Sequence, residues 1–481
     1  MTDFDLHLRG GKAVLPGTGL TDADIYVKDG RIAAIAAPGA ALSADEVVDV
    51  AGRWILPGVI DAHVHLGQDI SAPKTVDDAE KETASAAAGG VTTMIAYLMS
   101  PKPYEEVFPG AREVMEANAH TDFGFHFCVV TPEQVARIPS YAADLGVSSY
   151  KVFTNFRGQE GAYLGLPGND DAFLFDALEA AAETGGMIAQ HAENIELVWR
   201  LRERTEQKPD AGLPGWNAIR PPYVEAEAEG RVGYLASVTG ASAYAVHVTS
   251  PESLRAIERQ KGHYPNLYVE TCPHYLTLNE ESPIGSRGKV NPPLRTAADN
   301  EALWQAIAEG RIDVLGSDHV PRHFSAKDKD IWTASAGFPG SGTMFPLFLS
   351  EALRRGIPLE TVVSMTATRP AQLFGLGDRK GALRVGFDAD FVVVDPARPF
   401  PIAAATQHSG AEYSVWEGWT SDVSIDHTIV RGEFSVRDGE VGTTTGRYVP
   451  RRHSGRAALD ALDASASASA SASASAEGVT S

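Results

Sequence analysis

The feature that most constrains this chain is a repeated alternation of apolar strands and helical segments through its middle. Eight near-continuous apolar runs read as buried strands and are separated by segments with helical periodicity. They cover residues 54–66, 91–98, 123–130, 148–153, 187–191, 243–249, 267–272 and 312–317. Buried strands joined by helices form parallel sheets, so eight such units predict an α/β fold of the (β/α)8 barrel type. A doubly wound open sheet is the alternative, but no glycine-rich phosphate loop follows an early strand.

Both ends of the chain have a different pattern. The first 50 or so residues and the segment after residue 378 alternate apolar and polar residues and carry Asp-Gly turns. Each β-rich end alone lacks a partner face, so we expect the two to form one small β-sandwich beside the barrel. The predicted domains are 1–54 and 379–452 for the sandwich, 55–378 for the barrel, and a flexible Ala/Ser-rich tail at 453–481.

Composition and charge argue against two classes of binding partner, nucleic acids and membranes. The 481 residues carry a net charge of −22 and no long Lys/Arg run, so binding to nucleic acid is disfavoured. No apolar stretch approaches the roughly 20 residues of a membrane span, and the N-terminus has no secretory signal pattern. Cys128 and Cys272 belong to no paired motif. We therefore expect a cytoplasmic protein with no membrane or nucleic-acid partner.

Histidines and one aspartate recur where the predicted strands end. His63 and His65 are two residues apart, so in a strand both imidazoles face the same side. His191, His247 and Asp318 lie at the ends of the fifth, sixth and eighth predicted strands. The C-terminal strand ends carry the active site in this type of barrel, so the pattern predicts a metal site there. Nitrogen and carboxylate ligands suit zinc, with manganese, cobalt or iron also compatible.

Lys151 lies near the end of the fourth predicted strand and is a candidate for the same site. A protonated amine is a poor neighbour for a divalent cation, whereas a lysine that takes up carbon dioxide becomes a carbamate able to bridge two cations. From spacing alone, a structural or salt-bridged lysine is an equally good interpretation.

The flanking residues resemble those of a known family. The matching motifs are those at residues 57–65, 87–93, 150–153, 270–276, 291–295 and 317–319, with further matches at 386–390, 437–439 and 446–449. Up to about Arg452, the chain resembles the dihydropyrimidinase/hydantoinase family of cyclic amidohydrolases, within the amidohydrolase superfamily. The number of motifs, all in the same order, makes the resemblance specific.

The resemblance implies a hydrolase with two zinc ions that opens the ring C–N bond of a cyclic amide or imide. It assigns the ligands as His63, His65 and Asp318 for the more buried metal, His191 and His247 for the second, and N6-carboxylated Lys151 with a hydroxide as bridges. Asp318 would accept the hydroxide proton and return it to the departing nitrogen. The resemblance also implies a homo-oligomer, either a tetramer or a dimer.

The chain departs from the family pattern around the substrate. Hydantoinases and dihydropyrimidinases usually carry a tyrosine five residues after the carboxylated lysine, where this chain has Phe156. Tyr163 and Asn155 are candidate replacements for its hydroxyl, and the metals alone are the alternative. Asn291 is dihydroorotase-like and a candidate substrate contact. Dihydroorotases have a carboxylate-binding arginine where this chain has Gly67, so we expect a neutral ring such as a hydantoin or dihydropyrimidine.

Other functions fit less well. An allantoinase is compatible with the motifs, and a dihydroorotase is disfavoured by Gly67. A mononuclear deaminase on the same barrel needs no lysine in the fourth strand, so Lys151 argues against it. A non-catalytic scaffold homologue would lack metal ligands, whereas this sequence has all six.

Overall fold

A computed structural model of the chain describes residues 3–67, 75–158 and 168–465. The first strands are β1 Phe4–Leu15, β2 Gly19–Lys28, β3 Arg31–Ala36, β4 Ala44–Asp49 and β5 Trp54–Pro57. The middle of the chain supplies β6 Val59–Val64, β7 Val91–Met99, β8 Asp122–Cys128, β9 Ser149–Phe153, β10 Met187–His191, β11 Ser242–Ala245, β12 Leu267–Thr271 and β13 Val314–Leu315. The last are β14 Phe391–Asp395, β15 Phe400–Pro401, β16 Thr420–Ser421, β17 Ser424–Val430, β18 Glu433–Arg437 and β19 Glu440–Val441.

Strands β6 to β13 form the predicted parallel barrel. They are hydrogen-bonded in sequence order, and a parallel bridge between Val64 and His319 brings the first and last strands together. The α-helices of the described residues are Val76–Ala88, Tyr104–Asn118, Pro132–Ala136, Ile138–Leu145, Asp171–Glu183, Ile195–Arg204, Gly212–Ala218, Pro222–Thr239, Pro251–Lys261, Pro273–Thr277, Ala297–Ala308, Phe324–Lys327, Ser341–Arg354, Leu359–Val363, Arg369–Leu373 and residues 456–465. The (β/α)8 fold is therefore confirmed. None of these helices is long and apolar enough to cross a membrane.

The two chain ends build one β domain, as expected. Within the described residues they share a nine-stranded sheet, in the order β19-β18-β17-β14-β5-β1-β2-β3, with β4 beside β1. Strand β5 lies between β1 and β14, so it hydrogen-bonds the N-terminal strands to the C-terminal ones. Apolar side chains from both ends, such as Ile25, Ile55 and Phe391, pack into one core.

The first barrel strand differs from its prediction. Residues 54–66 read as one run, but Trp54–Pro57 belongs to the terminal sheet and Val59–Val64 to the barrel. The chain changes sheets at Gly58, where an added Cβ would lie 2.1 Å from Thr92 Oγ1. The apolar run does not reveal this change of sheet, because both strands are buried and therefore apolar.

The predicted tail is also partly wrong. Residues 456–465 are helical rather than flexible, with Ala458 buried and Leu459 packed against apolar side chains of the barrel. The helix forms because these apolar positions precede the Ala/Ser repeat and have a surface to cover. Residues 466–481 lie outside the described part of the chain.

Candidate active site

A cavity of about 110 Å3 lies at the C-terminal ends of the barrel strands. Its lining includes the six predicted metal ligands, which are His63, His65, Lys151, His191, His247 and Asp318. Asn155, Phe156 and Asn291 line it as well. The structure thus brings together residues that are up to 255 positions apart in the sequence, since 318 − 63 = 255.

One half of the cavity holds His63, His65 and Asp318. Oδ1 of Asp318 lies 3.1 Å from Nε2 of His63 and 3.6 Å from Nε2 of His65. One ligand atom from each residue lies within 4.8 Å of the others, and all three residues are buried. Burial by itself raises the pKa of Asp318, but the two imidazoles hold that pKa well below its usual range. The carboxylate is therefore ionised and available to a cation.

The carboxylate of Glu270 lies behind this half of the cavity and contacts three residues. Its Oε1 lies 2.6 Å from Nδ1 of His63 and accepts the backbone N–H of His247 at 2.9 Å, while its Oε2 accepts the hydroxyl of Tyr244 at 2.8 Å. Burial lowers the pKa of His63, but Glu270 and Asp318 raise it to about 9. A carboxylate on Nδ1 fixes the ring so that Nε2 faces the cavity. The sequence analysis gave Glu270 no role, although a charged residue inside the apolar run 267–272 was a usable signal.

The other half holds His191 and His247. Nδ1 of His191 lies 3.0 Å from Nε2 of His247. Glu193 Oε2 lies 2.8 Å from Nε2 of His191 and 2.7 Å from Nη1 of Arg220. Burial lowers the pKa of both histidines, so both rings are neutral. Glu193, which the sequence analysis also missed, orients its histidine as Glu270 orients His63.

Two of the predicted ligands have an uncommon backbone conformation. His247 has a φ of 45° and Asp318 a φ of 48°, in the left-handed region that non-glycine residues rarely adopt. The predicted strands 243–249 and 312–317 accordingly end early, at Ala245 and Leu315. Backbone strain of this kind is typical of functional sites, where surrounding structure maintains it.

Lys151 lines the same cavity as both halves. It is 1% exposed, and its Nζ lies 4.7 Å from the centre of the Tyr97 ring and 5.3 Å from that of Phe153. Burial lowers its pKa to about 8. None of the ion pairs within the described residues involves Lys151, so the salt-bridged interpretation has no partner here.

The substrate-facing candidates occupy one side of the cavity. Phe156 stacks on Phe153 with ring centres 4.1 Å apart. Asn155 is 3% exposed, and its Oδ1 has no hydrogen-bond partner among the described residues. Asn291 Oδ1 accepts the indole N–H of Trp216 at 3.1 Å. Tyr163 lies outside the described residues.

The donor set fits divalent metal ions. Nδ1 of His247 is buried and has no hydrogen-bond partner within the described chain. Buried polar atoms are normally satisfied, so such an atom beside other ligands indicates a missing partner. Imidazole nitrogens with one carboxylate are the ligands of zinc and similar metals.

Comparisons with known proteins identify the family of this chain. A sequence model described as the amidohydrolase family matches residues 54–435. The chain belongs to the amidohydrolase family. Within that family it belongs with the hydantoinases and dihydropyrimidinases, as the sequence motifs predicted.

Several relatives are similar over nearly their whole length. A D-hydantoinase of Geobacillus stearothermophilus is 33% identical over 93% of this chain and 97% of its own. An allantoinase of Bacillus velezensis is also 33% identical, over 91% of this chain and 95% of its own. The crystal structure of a dihydropyrimidinase from Brevibacillus agri has a TM-score of 0.85 and 30% identity, covering 94% of this chain and 99% of that one.

Proposed function

We propose that this amidohydrolase opens the ring C–N bond of a cyclic amide or imide, such as a hydantoin or a dihydropyrimidine, with the help of two divalent metal ions. The observation that carries the proposal is the convergence of four histidines, Asp318 and Lys151 on one buried cavity. Relatives named D-hydantoinase and dihydropyrimidinase support the same substrate class.

We assign the metal ligands in two groups. His63, His65 and Asp318 would hold one ion, His191 and His247 the other, and carboxylated Lys151 would contact both. Zinc fits the nitrogen-rich set best, and other divalent ions are compatible. When bound, such a pair supplies Lewis acidity and lowers the pKa of water, which provides a nucleophile near neutral pH.

Carboxylation of Lys151 requires a neutral amine. The nitrogen lone pair attacks the carbon of carbon dioxide, a N–C bond forms, and the amine loses a proton to water. Burial lowers the lysine pKa to about 8, so a substantial neutral fraction exists near physiological pH. The product is an anion at a site whose other nearby ligands, His191 and His247, are neutral.

Asp318 is the proposed proton carrier. Its carboxylate takes the proton from the attacking water oxygen and delivers it to the ring nitrogen as the C–N bond breaks. The contacts with His63 and His65 hold the acid in place and keep it ionised before the reaction. The product is an open-chain N-carbamoyl or related amide.

The substrate ring would lie against the stacked pair of Phe153 and Phe156. Asn155 is the proposed polar contact in place of the family tyrosine, because it is buried, lines the cavity and carries amide N–H donors that can bind an oxyanion. Tyr163 and Asn291 are further proposed substrate contacts. Gly67 has a φ of +86°, and a Cβ there would lie 2.5 Å from Asp78, so no side chain is available at the position of the dihydroorotase arginine.

The wider setting is also a proposal. We infer a cytoplasmic homo-oligomer, a tetramer or a dimer, from the family resemblance. We likewise propose that the barrel ends at 378 and that residues 379–452 complete the β domain. The predicted boundary at 55 moves to Gly58, because Trp54–Pro57 belongs to the terminal sheet. Light scattering after gel filtration would measure the assembly.

A hydrolysis panel tests the function. Purified protein, grown with zinc and assayed for metal content, would be offered dihydrouracil, 5-substituted hydantoins, allantoin, dihydroorotate and simple imides. We expect about two metal ions per chain and turnover of a neutral ring, with little or no turnover of dihydroorotate. Exclusive turnover of allantoin would favour the allantoinase alternative, which the relative from Bacillus velezensis supports. Protein without metal or without any turnover would contradict the proposal.

A further inference from the structure

His319 follows the proposed ligand Asp318 and is held at both nitrogens of its buried ring. Its Nδ1 accepts the backbone N–H groups of Gly340 and Ser341 at 3.1 and 3.2 Å, and its Nε2 lies 3.0 Å from Oε2 of Glu82. In a neutral imidazole the nitrogen that accepts hydrogen bonds carries no hydrogen, so Nε2–H is the donor to Glu82. Both nitrogens are therefore used within the protein, and neither is left for a metal ion or a substrate.

The backbone of His319 is fixed beside the proposed ligands. Its carbonyl accepts the N–H of His65 at 2.8 Å, and its own N–H donates to Oγ of Ser317 at 3.1 Å. Oγ of Ser317 in turn donates to the carbonyl of His63 at 3.1 Å. Asp318 lies between these two anchored residues and has the left-handed φ of 48°. Such a conformation is costly for a residue other than glycine and persists only where the surrounding structure holds it.

Glu82 lies at the far end of this arrangement, on the buried face of the helix Val76–Ala88. Its carboxylate accepts two further hydrogen bonds, from Oγ of Ser409 at 2.7 Å and from the N–H of Gly410 at 3.0 Å. A buried carboxylate needs such bonds to replace those it would make with water. Two of its three donors among the described residues thus come from the connection between β15 and β16, in the C-terminal part of the chain.

We propose that Glu82 is a positioning residue for the first metal, the ion assigned to His63, His65 and Asp318. Through His319 it holds Asp318 in the geometry that binds a cation, and the connection between β15 and β16 holds Glu82. This inference rests on the proposed function. Neither Glu82 nor His319 is among the described residues that line the cavity, so both act through the ligands.

The same connection also holds the helix on the other side of His319. The side-chain amide of Gln407 donates to Oγ1 of Thr343, in the helix Ser341–Arg354. The first N–H of that helix binds Nδ1 of His319, so the ring lies between two helices that the connection ties together. Side chains supported by rigid, hydrogen-bonded elements keep the precise geometry that a metal site needs.

This support concerns one half of the cavity. The rings of His191 and His247 contact each other, and that of His191 also contacts Glu193. Within the described parts of the chain, neither ring forms a hydrogen bond with Glu82 or His319. Loss of the Glu82 carboxylate is therefore expected to weaken the first metal and to spare the second.

The test measures zinc binding to Glu82→Gln by competition with a chelator of known affinity, which resolves the two metals as separate steps. The amide keeps the size of the side chain but turns one acceptor into a donor, so at least one of the three hydrogen bonds is lost. We expect the first metal to bind about 10–100-fold more weakly, the range for residues behind a metal ligand, and the second to bind as in the parent. With zinc in excess, kcat for the best ring of the panel should fall and KM should change little, because Asp318 acts in the transition state.

Thermal unfolding of the metal-free protein separates this role from a purely structural one. A carboxylate that only stabilises the fold would lower the melting temperature on removal and leave both metal affinities unchanged, and that result would overturn the inference. Equal weakening of both metals would overturn it as well. Glu80→Gln is the matched control, because Glu80 is exposed in the same helix, and this variant should bind both metals as the parent does.

Further variants decide the question if Glu82→Gln does not fold. Ser409→Ala removes one donor to Glu82 from a partly exposed connection and should weaken the first metal by a few-fold. His319→Gln offers an amide oxygen and an amide nitrogen in place of the two ring nitrogens. It should therefore keep more affinity for the first metal than His319→Phe, which has a ring without hydrogen bonds. Equal affinities in these two variants would contradict the proposal.

The proposed function and this inference fail in different ways. A parent protein that binds no metal and hydrolyses no ring of the panel would contradict the proposed function, and the inference with it. An active parent with two metals, whose Glu82→Gln variant binds the first metal as tightly, would overturn this inference alone.

Discussion

The two halves of the active-site cavity differ in charge. Each half has a carboxylate behind one histidine, Glu270 at His63 and Glu193 at His191. The half with His63 and His65 has a further carboxylate, Asp318, among its proposed ligands. The half with His191 and His247 has neutral rings, and Lys151 in the same cavity contributes an amine rather than an anion. A divalent cation is therefore better supported in the first half than in the second.

This difference indicates how a pair of metals would be assembled. The first half already has three converging ligand atoms, one of them a carboxylate oxygen, and His63 releases its proton when a cation binds. The second half gains a negative ligand only when Lys151 is converted to a carbamate, since Glu193 is committed to His191 and Arg220. Occupancy of the second half should thus depend on carbon dioxide, and that of the first half should not.

The largest expected effect comes from Lys151→Ala. The variant should keep about one metal, lose the second, and lose turnover by roughly a thousandfold or more, because metal catalysis contributes several kcal/mol to transition-state stabilisation. Metal analysis and turnover measure the two effects, and a short carboxylic acid should partly restore both. Lys102→Ala, an exposed lysine outside the cavity, is the control. Retention of two metals with full activity would refute the bridging role.

Asp318→Asn tests the first half. The amide keeps the shape of the side chain but cannot accept a proton, so we expect turnover to fall at least about 100-fold, with a smaller change in KM. Steady-state kinetics with a hydantoin substrate measures both constants. Turnover within a few-fold of the parent would exclude Asp318 as the proton carrier.

Glu270→Gln and Glu193→Gln form a pair that compares the halves directly. Removing the carboxylate behind a metal-binding histidine typically costs about 10–100-fold in metal affinity. We expect Glu270→Gln to weaken the first metal and Glu193→Gln the second, as measured by competition with a chelator of known affinity. Equal weakening of the same metal by both variants would show that the halves are not separate.

The smallest expected effect is a gain from Phe156→Tyr. A phenol at this position would add a hydrogen-bond donor to the oxyanion. Removal of such a donor typically lowers the rate about 10²–10³-fold, so we expect its addition to increase the rate of dihydrouracil hydrolysis by part of that factor. The parent should be weak on dihydrouracil compared with a bulkier hydantoin. If the parent already hydrolyses dihydrouracil efficiently and the variant does not change this, another group supplies the donor, and Asn155→Ala is the next variant to measure.

Much of the barrel was predictable because a strand buried on both faces is apolar throughout. The strand ends were not: the run 54–66 contains two strands of different sheets, and 312–317 shrinks to Val314–Leu315. Sheet membership depends on hydrogen bonds between distant segments, which an apolar pattern does not encode. The helix at 456–465 was missed for a related reason, since only the folded barrel provides the surface that Leu459 covers.

The sequence by itself determined which residues stand at the strand ends, because each of them directly follows or ends an apolar run. This holds for His63, His65, Lys151 and Asp318. Only the tertiary structure decided which residues lie beside them. Glu270 reaches His63 from another strand, and Asn291 lines a cavity with residues far from it in sequence. A parallel barrel brings successive strand ends into one ring, so neighbours in space are separated in sequence by whole strand–helix units.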